Sequence, residues 1–360
     1  IQMEIFLKLM IIKMLKYINL KIMNKTKISA EVVADSVDVR GNRLTSLLIT
    51  FPRIILAEVN THRMLSKNTS SSRAIPFHKM VEAVNNDPFI PIAWQKDHKG
   101  MQGTEYLVDR KHENAVYEWL KARDFAVKQA NIMNSDGVTK QLANRLLEPF
   151  MWTTMLITGS REGWDNFFNL RCPVYYYAGN DKSYKSKKEL LPILLNDFGK
   201  SPADSFWYNI NKGQAEIHMM MLSEEIYDCI QESTPVQLKE CEWHIPMISD
   251  LESLKLSTYD QIKLSVGRAA NTSYTVVGDG KELTLEHAIK IHDKCVELVH
   301  SSVFEHCARA MSDEEYKVFI KGKNIGTIAP YLFDDTSKGW CNNLKGFIPY
   351  RYFIDNKIEI

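Results

Sequence analysis

The stretch that most constrains this chain is Thr61-His62-Arg63-Met64-Leu65-Ser66-Lys67-Asn68-Thr69-Ser70-Ser71-Ser72-Arg73. Its thirteen residues hold two arginines, a histidine, an asparagine and four serines. So polar a run does not suit a core strand and is too specific for a linker, so the expectation is a polar loop. Arg63 and Arg73 are permanently charged planar forks that match phosphate oxygens. The serines and Asn68 add short donors that can approach a nucleotide closely. A solvated Ser-rich loop is the alternative reading of this segment taken alone.

What precedes the run favours a binding loop. Residues 47–58 (Leu-Leu-Ile-Thr-Phe-Pro-Arg-Ile-Ile-Leu-Ala-Glu) read as a buried strand running into a short helix. Pro52 falls at the changeover, where a missing amide is least damaging. A rigid scaffold thus delivers the polar segment, as binding loops generally require.

These residues resemble the signature of the flavin-dependent thymidylate synthases. That signature is Arg-His-Arg followed by Ser, Asn-Glu, Ser and Arg at fixed offsets. His62, Arg63, Ser66, Asn68, Ser71 and Arg73 stand at matching positions, while Glu58, Thr61 and Thr69 replace a glutamine, the first arginine and the glutamate. Further pieces follow in order. Residues 138–149, with Arg145, resemble the family's Ala-Arg-x-x-Leu-Pro segment. Asn166-Phe167-Phe168-Asn169-Leu170-Arg171 resembles its Asn-Phe-Phe-x-Leu-Arg, and Gly213-Gln214-Ala215-Glu216-Ile217-His218 its Ala-Gln-x-Glu-Ile-Arg helix start.

Two pieces are out of order. Ser302-Val303-Phe304-Glu305-His306 resembles Ser-Pro-Phe-Glu-His, with His300 at a histidine two places before that serine. Residues 265–274, ending Asn271-Thr272-Ser273-Tyr274, resemble the Ala-Arg-Val-Ser-Tyr strand. In the family these pieces precede the Arg-His-Arg loop, so the resemblance implies a circularly permuted, phage-like variant. Permutation is tolerated where the old termini lie close together at the surface. Residues 265–306 are then expected to pack against residues 47–73.

The resemblance implies an α+β fold, an antiparallel sheet packed with helices. It implies conversion of dUMP to dTMP with methylenetetrahydrofolate as carbon donor, FAD as cofactor and NADPH as reductant. His62, Arg63, Asn68, Asn166, Ser273, His300 and Ser302 fall on flavin positions. Ser71, Arg73, Arg145 and Arg171 fall on nucleotide positions, the three arginines as a phosphate clamp, with Ser71 and Arg73 nearest the reaction. Ser71 has no neighbouring general base and is not read as a nucleophile. His306 is equally well explained as a capping or core histidine. The resemblance further implies a homotetramer with shared sites, and the composition agrees with a cytoplasmic enzyme. The departures at Glu58, Thr61 and Thr69 keep open hydroxymethylation or another pyrimidine nucleotide, or a non-catalytic nucleotide-binding homologue.

Charge and cysteines narrow the alternatives. The net charge is +1, of which residues 1–22 carry +3, leaving −2 for the rest. A general nucleic-acid binder would be strongly basic. The six cysteines (Cys172, Cys229, Cys241, Cys295, Cys307, Cys341) form no Cys-x-x-Cys pair and read as reduced, mostly buried thiols. Cys241-x-x-His244 and His306-Cys307 lack partner pairs at zinc spacing, so no metal is expected. Gly278-Asp279-Gly280 reads as a turn, and no dinucleotide or Walker fingerprint is present.

Residues 1–22, rich in Ile, Leu and Lys, are interrupted by lysines too often to span a membrane. They read as a non-native leader ahead of a start at Met23, with an amphipathic partner helix as the alternative. Residues 23–360 read as one domain, comprising 23–171, an insertion at 172–212, 213–311 and an extension at 312–360. Periodicity predicts two strands within 26–56 around Arg40-Gly41-Asn42, and helices over 109–133, 138–148, 213–231 and 284–299. The last should present Ala288, Ile291, Cys295 and Leu298 on one face, with Thr284 as cap. Met219, Met220 and Met221 read as core filler, and the lysines of 182–188 as a solvated loop.

Overall fold

A computed structural model describes residues 26–99, 103, 105–177, 182–274, 277, 283–324 and 343–360. The leader, the Met23 start, the Gly278–Gly280 turn and Cys341 lie outside the described residues. The expected hairpin forms from strands β1 (Ser29–Val37) and β2 (Arg43–Pro52), joined through Gly41 at φ 81°. That angle suits glycine alone without strain. Pro52 ends β2, and a 3₁₀ turn leads into the short helix Leu56–Asn60.

The polar run is only partly a loop. Ser66–Thr69 is a strand, β3, antiparallel to β4 (Trp152–Ser160). Polarity misleads here because β3 buries Ser66 and Asn68 as hydrogen-bonding groups rather than as apolar bulk. With β7 (Val236–Gln237) the sheet order is β3-β4-β2-β1-β7, antiparallel except for the β1–β7 pair.

Strand alternation gives this sheet two unlike faces. Leu47, Ile49, Phe51, Met155 and Ile157 form a dry core with the helix Ile217–Glu232, in which Met219 and Met220 are buried as filler. The opposite face carries Ser36, Ser46, Thr158, Ser66 and Asn68, with Ser46, Thr158 and Ser66 in register across three strands. Over it lie the helix Thr258–Thr272, the 3₁₀ turn Ser301–Glu305, and a small sheet of β10 (Phe347–Pro349), β9 (Ala308–Ala310) and β8 (Trp243–His244). The two faces together make the α+β architecture expected from the sequence.

Residues 265–272 are helical, not the strand that the resemblance implied. Ser257 caps the helix by accepting from Asp260 N, and Ile262, Val266, Ala269 and Ala270 follow at helical spacing along its buried side. It crosses the helix Leu285–Glu297, capped by Thr284 as expected, although Leu298 is exposed rather than on the buried face. Before it, Ser249 and Glu252 form a capping box, and Glu252 also grips Arg268 at 2.6 and 2.9 Å. Ser249→Ala should therefore lower stability by about 1 kcal/mol in denaturant titration.

The 172–212 segment, described at 172–177 and 182–212, has elements and a small core of its own. Its β5 (Tyr175–Tyr176), β6 (Ser183–Tyr184) and helices Lys187–Phe198 and Asp204–Ile210 bury Tyr175, Tyr184, Leu190, Leu194 and Trp207 together. The lysine stretch is thus not a plain solvated loop: Tyr184 and the N-cap Ser186 are buried within it. Glu224 ties the insertion to the 217–232 helix, accepting from Tyr175 Oη at 3.1 Å and Lys187 N at 2.5 Å. Residues 347–356 join a second core, formed with Ile262, Val266 and Phe304, through Ile348, Tyr350 and Phe353. Of the described cysteines, Cys172, Cys295 and Cys307 are buried, whereas Cys241 is exposed.

Candidate functional site

The turn between the Leu56–Asn60 helix and β3 is held from beneath by two cations. Lys67 Nζ donates to the carbonyl oxygens of Asn60 and His62, and Leu65 N closes the turn onto His62 O at 3.3 Å. The His62 ring is buried, with its neighbour Phe167 edge-on at 4.8 Å. Arg171, at the end of the helix Arg161–Arg171, donates its Nε–H to His62 Nε2 at 2.9 Å. Burial, then Arg171 and Lys67, push the ring down to about 4. His62 is therefore neutral at pH 7. Above it the Arg63 side chain is exposed, and its carbonyl accepts from Asn343 Nδ2 at 2.6 Å.

Further along, the segment meets residues two hundred positions away. Asn68 Nδ2 donates to Ala269 O, and Ser302 Oγ donates to Asn68 Oδ1 at 3.3 Å. Ser71 N donates to Ser273 O at 3.0 Å. Ala269, Ser273 and Ser302, from the 265–306 stretch, thus meet the polar run as the resemblance led us to expect. Asn68, expected at a flavin position, spends both side-chain atoms on protein and acts as a clasp.

The serines then alternate. Ser70 bonds Thr153 Oγ1 at 2.6 Å and Ser72 donates to Glu148, both buried; Asn144 Nδ2 holds Ser72 O at 2.6 Å and Ile75 O at 3.0 Å. Ser71 is half-buried and Arg73 exposed, and neither side chain has a partner among the described residues. The alternation turns Ser71 and Arg73 outward.

Glu148 also faces two arginines, Arg53 Nε at 3.3 Å and Arg145 Nη1 at 4.0 Å. Arg145 thus stands near the Ser72–Arg73 end of the segment, while Arg171 is committed to His62 at the other. The three arginines do not form one clamp in this chain. Asn166 and His300 are exposed, and neither side chain is bonded to the cluster among the described residues. The cluster is open-sided. Two concavities of the surface lie elsewhere, around Leu251, Leu256 and Leu264, and between the helices Phe77–Asn86 and Asp109–Ser135.

Two features escaped the sequence. Glu58 sits near both Glu216 and Arg171; burial, then Glu216, raise its carboxyl while Arg171 lowers it. Glu216 caps the 217–232 helix and accepts from His218 Nδ1 at 2.6 Å, so it is already satisfied. The second feature is a buried file across the polar face. Ser36 Oγ lies 2.9 Å from His244 Nδ1, and His244 Nε2 lies 2.8 Å from Ser46 Oγ. Ser46 Oγ lies 2.6 Å from Thr158 Oγ1, which lies 2.9 Å from His306 Nδ1. His306 is thus a core histidine, and its Nε2 is buried without a partner among the described residues. No local spacing marks this file, because its members come from β1, β8, β2, β4 and the 306 corner.

No protein-family model matches the sequence, and no curated protein matches it. Solved structures similar to the chain include a UMP/dUMP methylase PolB from Streptomyces cacaoi bound with 5-Br dUMP, at 11% identity and TM-score 0.40. The similarity covers 58% of this chain and 92% of that one. The same enzyme bound with 5-Br UMP gives 12% identity, TM-score 0.40, and coverage of 58% and 90%. Likeness this low does not transfer residues from one chain to the other. Among the described residues, no helix is long and apolar enough to cross a membrane.

Proposed function

We propose that this chain is a flavin-dependent enzyme that methylates a pyrimidine nucleotide, converting dUMP to dTMP, in a circularly permuted fold. The observation that carries the reading is the clasp of Asn68 to Ala269 and Ser302, together with the Ser71–Ser273 backbone bond. These bonds join the two sequence segments whose order is exchanged relative to the family they resemble.

The groups left unspent, together with Arg145 at its long 4.0 Å pair with Glu148, suit the ligands. Arg63, the outer nitrogen of His62, and His300 offer donors to a flavin pyrophosphate. Ser71, Arg73 and Arg145 offer a hydroxyl and two cations to a nucleotide phosphate. FAD, once bound, supplies the redox chemistry, with methylenetetrahydrofolate as carbon donor and NADPH as reductant, while the protein binds and orients. The exposed placement of Arg63, Arg73, Asn166 and His300 fits a homotetramer in which neighbouring subunits close the open side.

The test begins with calorimetric titration of FAD. Wild-type chain should bind it, and Arg63→Ala should weaken binding by about 1.5–3 kcal/mol, the scale of one charged hydrogen bond. Mass spectrometry of dUMP incubated with FAD, NADPH and methylenetetrahydrofolate should show gain of a methyl group. A hydroxymethyl product would instead favour altered chemistry, and Thr69, half-buried beside Asn68, is the residue to restore to glutamate. No FAD binding at all would remove the enzymatic reading.

A further inference from the structure

Arg171 does not have the surroundings of a phosphate ligand alone. Its Nε–H is directed at His62 Nε2 at 2.9 Å, and its Nη2 lies 3.5 Å from Thr61 Oγ1. A guanidinium has donors only and does not lose its proton in proteins. The His62 nitrogen facing it must therefore be the one with the lone pair. In a neutral imidazole the proton then resides on the other nitrogen. His62 Nδ1 has no protein partner among the described residues, and the ring is pinned edge-on by Phe167.

We propose that Arg171 is a positioning residue that locks His62 as the Nδ1–H tautomer, so that Nδ1–H is the donor this turn offers to a phosphate oxygen. The proposal rests on the nucleotide and flavin reading above for its ligand, but not for its tautomer. Arg171 closes its helix at the C-terminal end, where the helix dipole favours a cation. The charged groups around the ring are Arg171, Lys67 beneath the turn, and Glu58 against Arg171. Thr61 matters as well: it stands where the family it resembles has an arginine, and here a guanidinium reaches that place from Arg171.

The test is long-range proton–nitrogen NMR on the full chain labelled with ¹⁵N-histidine, near pH 7. His62→Gln assigns the signal, and the shift in Arg171→Lys assigns it if that variant fails to fold. Wild type should show a protonated Nδ1 and a bare Nε2 at His62. Arg171→Leu should mix the two tautomers and move the His62 titration upward toward the ordinary histidine value. Inorganic pyrophosphate should shift the Nδ1 signal in wild type and markedly less in Arg171→Leu. A proton on Nε2 in wild type overturns the proposal whatever FAD does. An Nδ1–H signal that pyrophosphate leaves unmoved overturns its ligand half. FAD titration runs separately: no FAD binding with an intact pyrophosphate response counts against the flavin alone.

Discussion

Lowering the pH from about 7.5 to about 5 is expected to remove roughly 4 kcal/mol of folding stability through His244 and His306. Both rings are fully buried among sheet, turn and helix. Burial pushes His244 down to about 4, with Asp35 pulling weakly the other way, and pushes His306 to about 3, aided by repulsion from His244. In the unfolded chain each titrates near 6.5. Folded-state values below unfolded ones mean that the unfolded chain takes up protons first. The contribution to stability is therefore complete above pH 6.5 and is lost as pH falls toward the folded values. At pH 5 each ring loses about 2 kcal/mol by this linkage. Buried carboxyls such as Glu224, raised by burial, work in the opposite sense. The decisive reading is thus a comparison of denaturant midpoints at the two pH values in wild type and His306→Gln. The variant should show a markedly flatter pH dependence; equal slopes would show that His306 is not titrating on unfolding.

The second large effect is expected from a single methyl group. A Cβ added at Gly267 would lie 2.7 Å from Ala288 Cα and Cβ and 3.0 Å from Ala288 O. These are mostly backbone atoms of the crossing helix, which cannot move aside as a flexible side chain would. Gly267→Ala should therefore destabilise by about 3 kcal/mol, at the upper end for overpacking. Gly137→Ala is the control: its φ of 84° strains an alanine, but nothing lies within 4 Å. It should cost only about 1–2 kcal/mol. The Gly267 change also reaches the candidate site. The carbonyls of Ala269 and Ser273 hold Asn68 and Ser71, so displacing this helix should weaken the FAD binding proposed above even at temperatures where the variant is folded. Equal stability of the two variants would show that the helices part easily.

Much of the fold was legible because its signals are local. The β1–β2 hairpin carries its glycine turn, the 109–135 and 285–297 helices carry their period, and Pro52 marks a strand end. The meeting of residues 265–306 with the polar run was legible only through the resemblance, since no periodicity reports a contact two hundred residues long. At 258–272 the resemblance to a strand misled: Ser257 caps a helix there, and its apolar spacing was not read as a period. β3 was hidden because its inward side chains are polar, and alternation of serine and asparagine looks like a loop. Arg171 was placed with the phosphate by resemblance, but its position against His62 depends on how a helix end meets a turn. The His244–His306 file was invisible for the same reason, being assembled from five separate elements.

That file has a consequence beyond acidity. Each of its four links needs one proton, each hydroxyl has one to give, and each neutral ring carries one. Suppose His306 keeps its proton on the buried Nε2. Its Nδ1 must then accept from Thr158, which forces Ser46 to donate to Thr158. Ser46 has nothing left for His244, so His244 must donate from its Nε2 and accept from Ser36. The reverse holds as well: a proton on His244 Nδ1 dictates one on His306 Nδ1. One combination of the two rings is thus forbidden so long as every link is made. A change at β1 that makes the Ser36 hydroxyl accept from His244 Nδ1 is thus communicated, without any atom heavier than hydrogen moving, to His306 Nδ1 at the β4 end of the file.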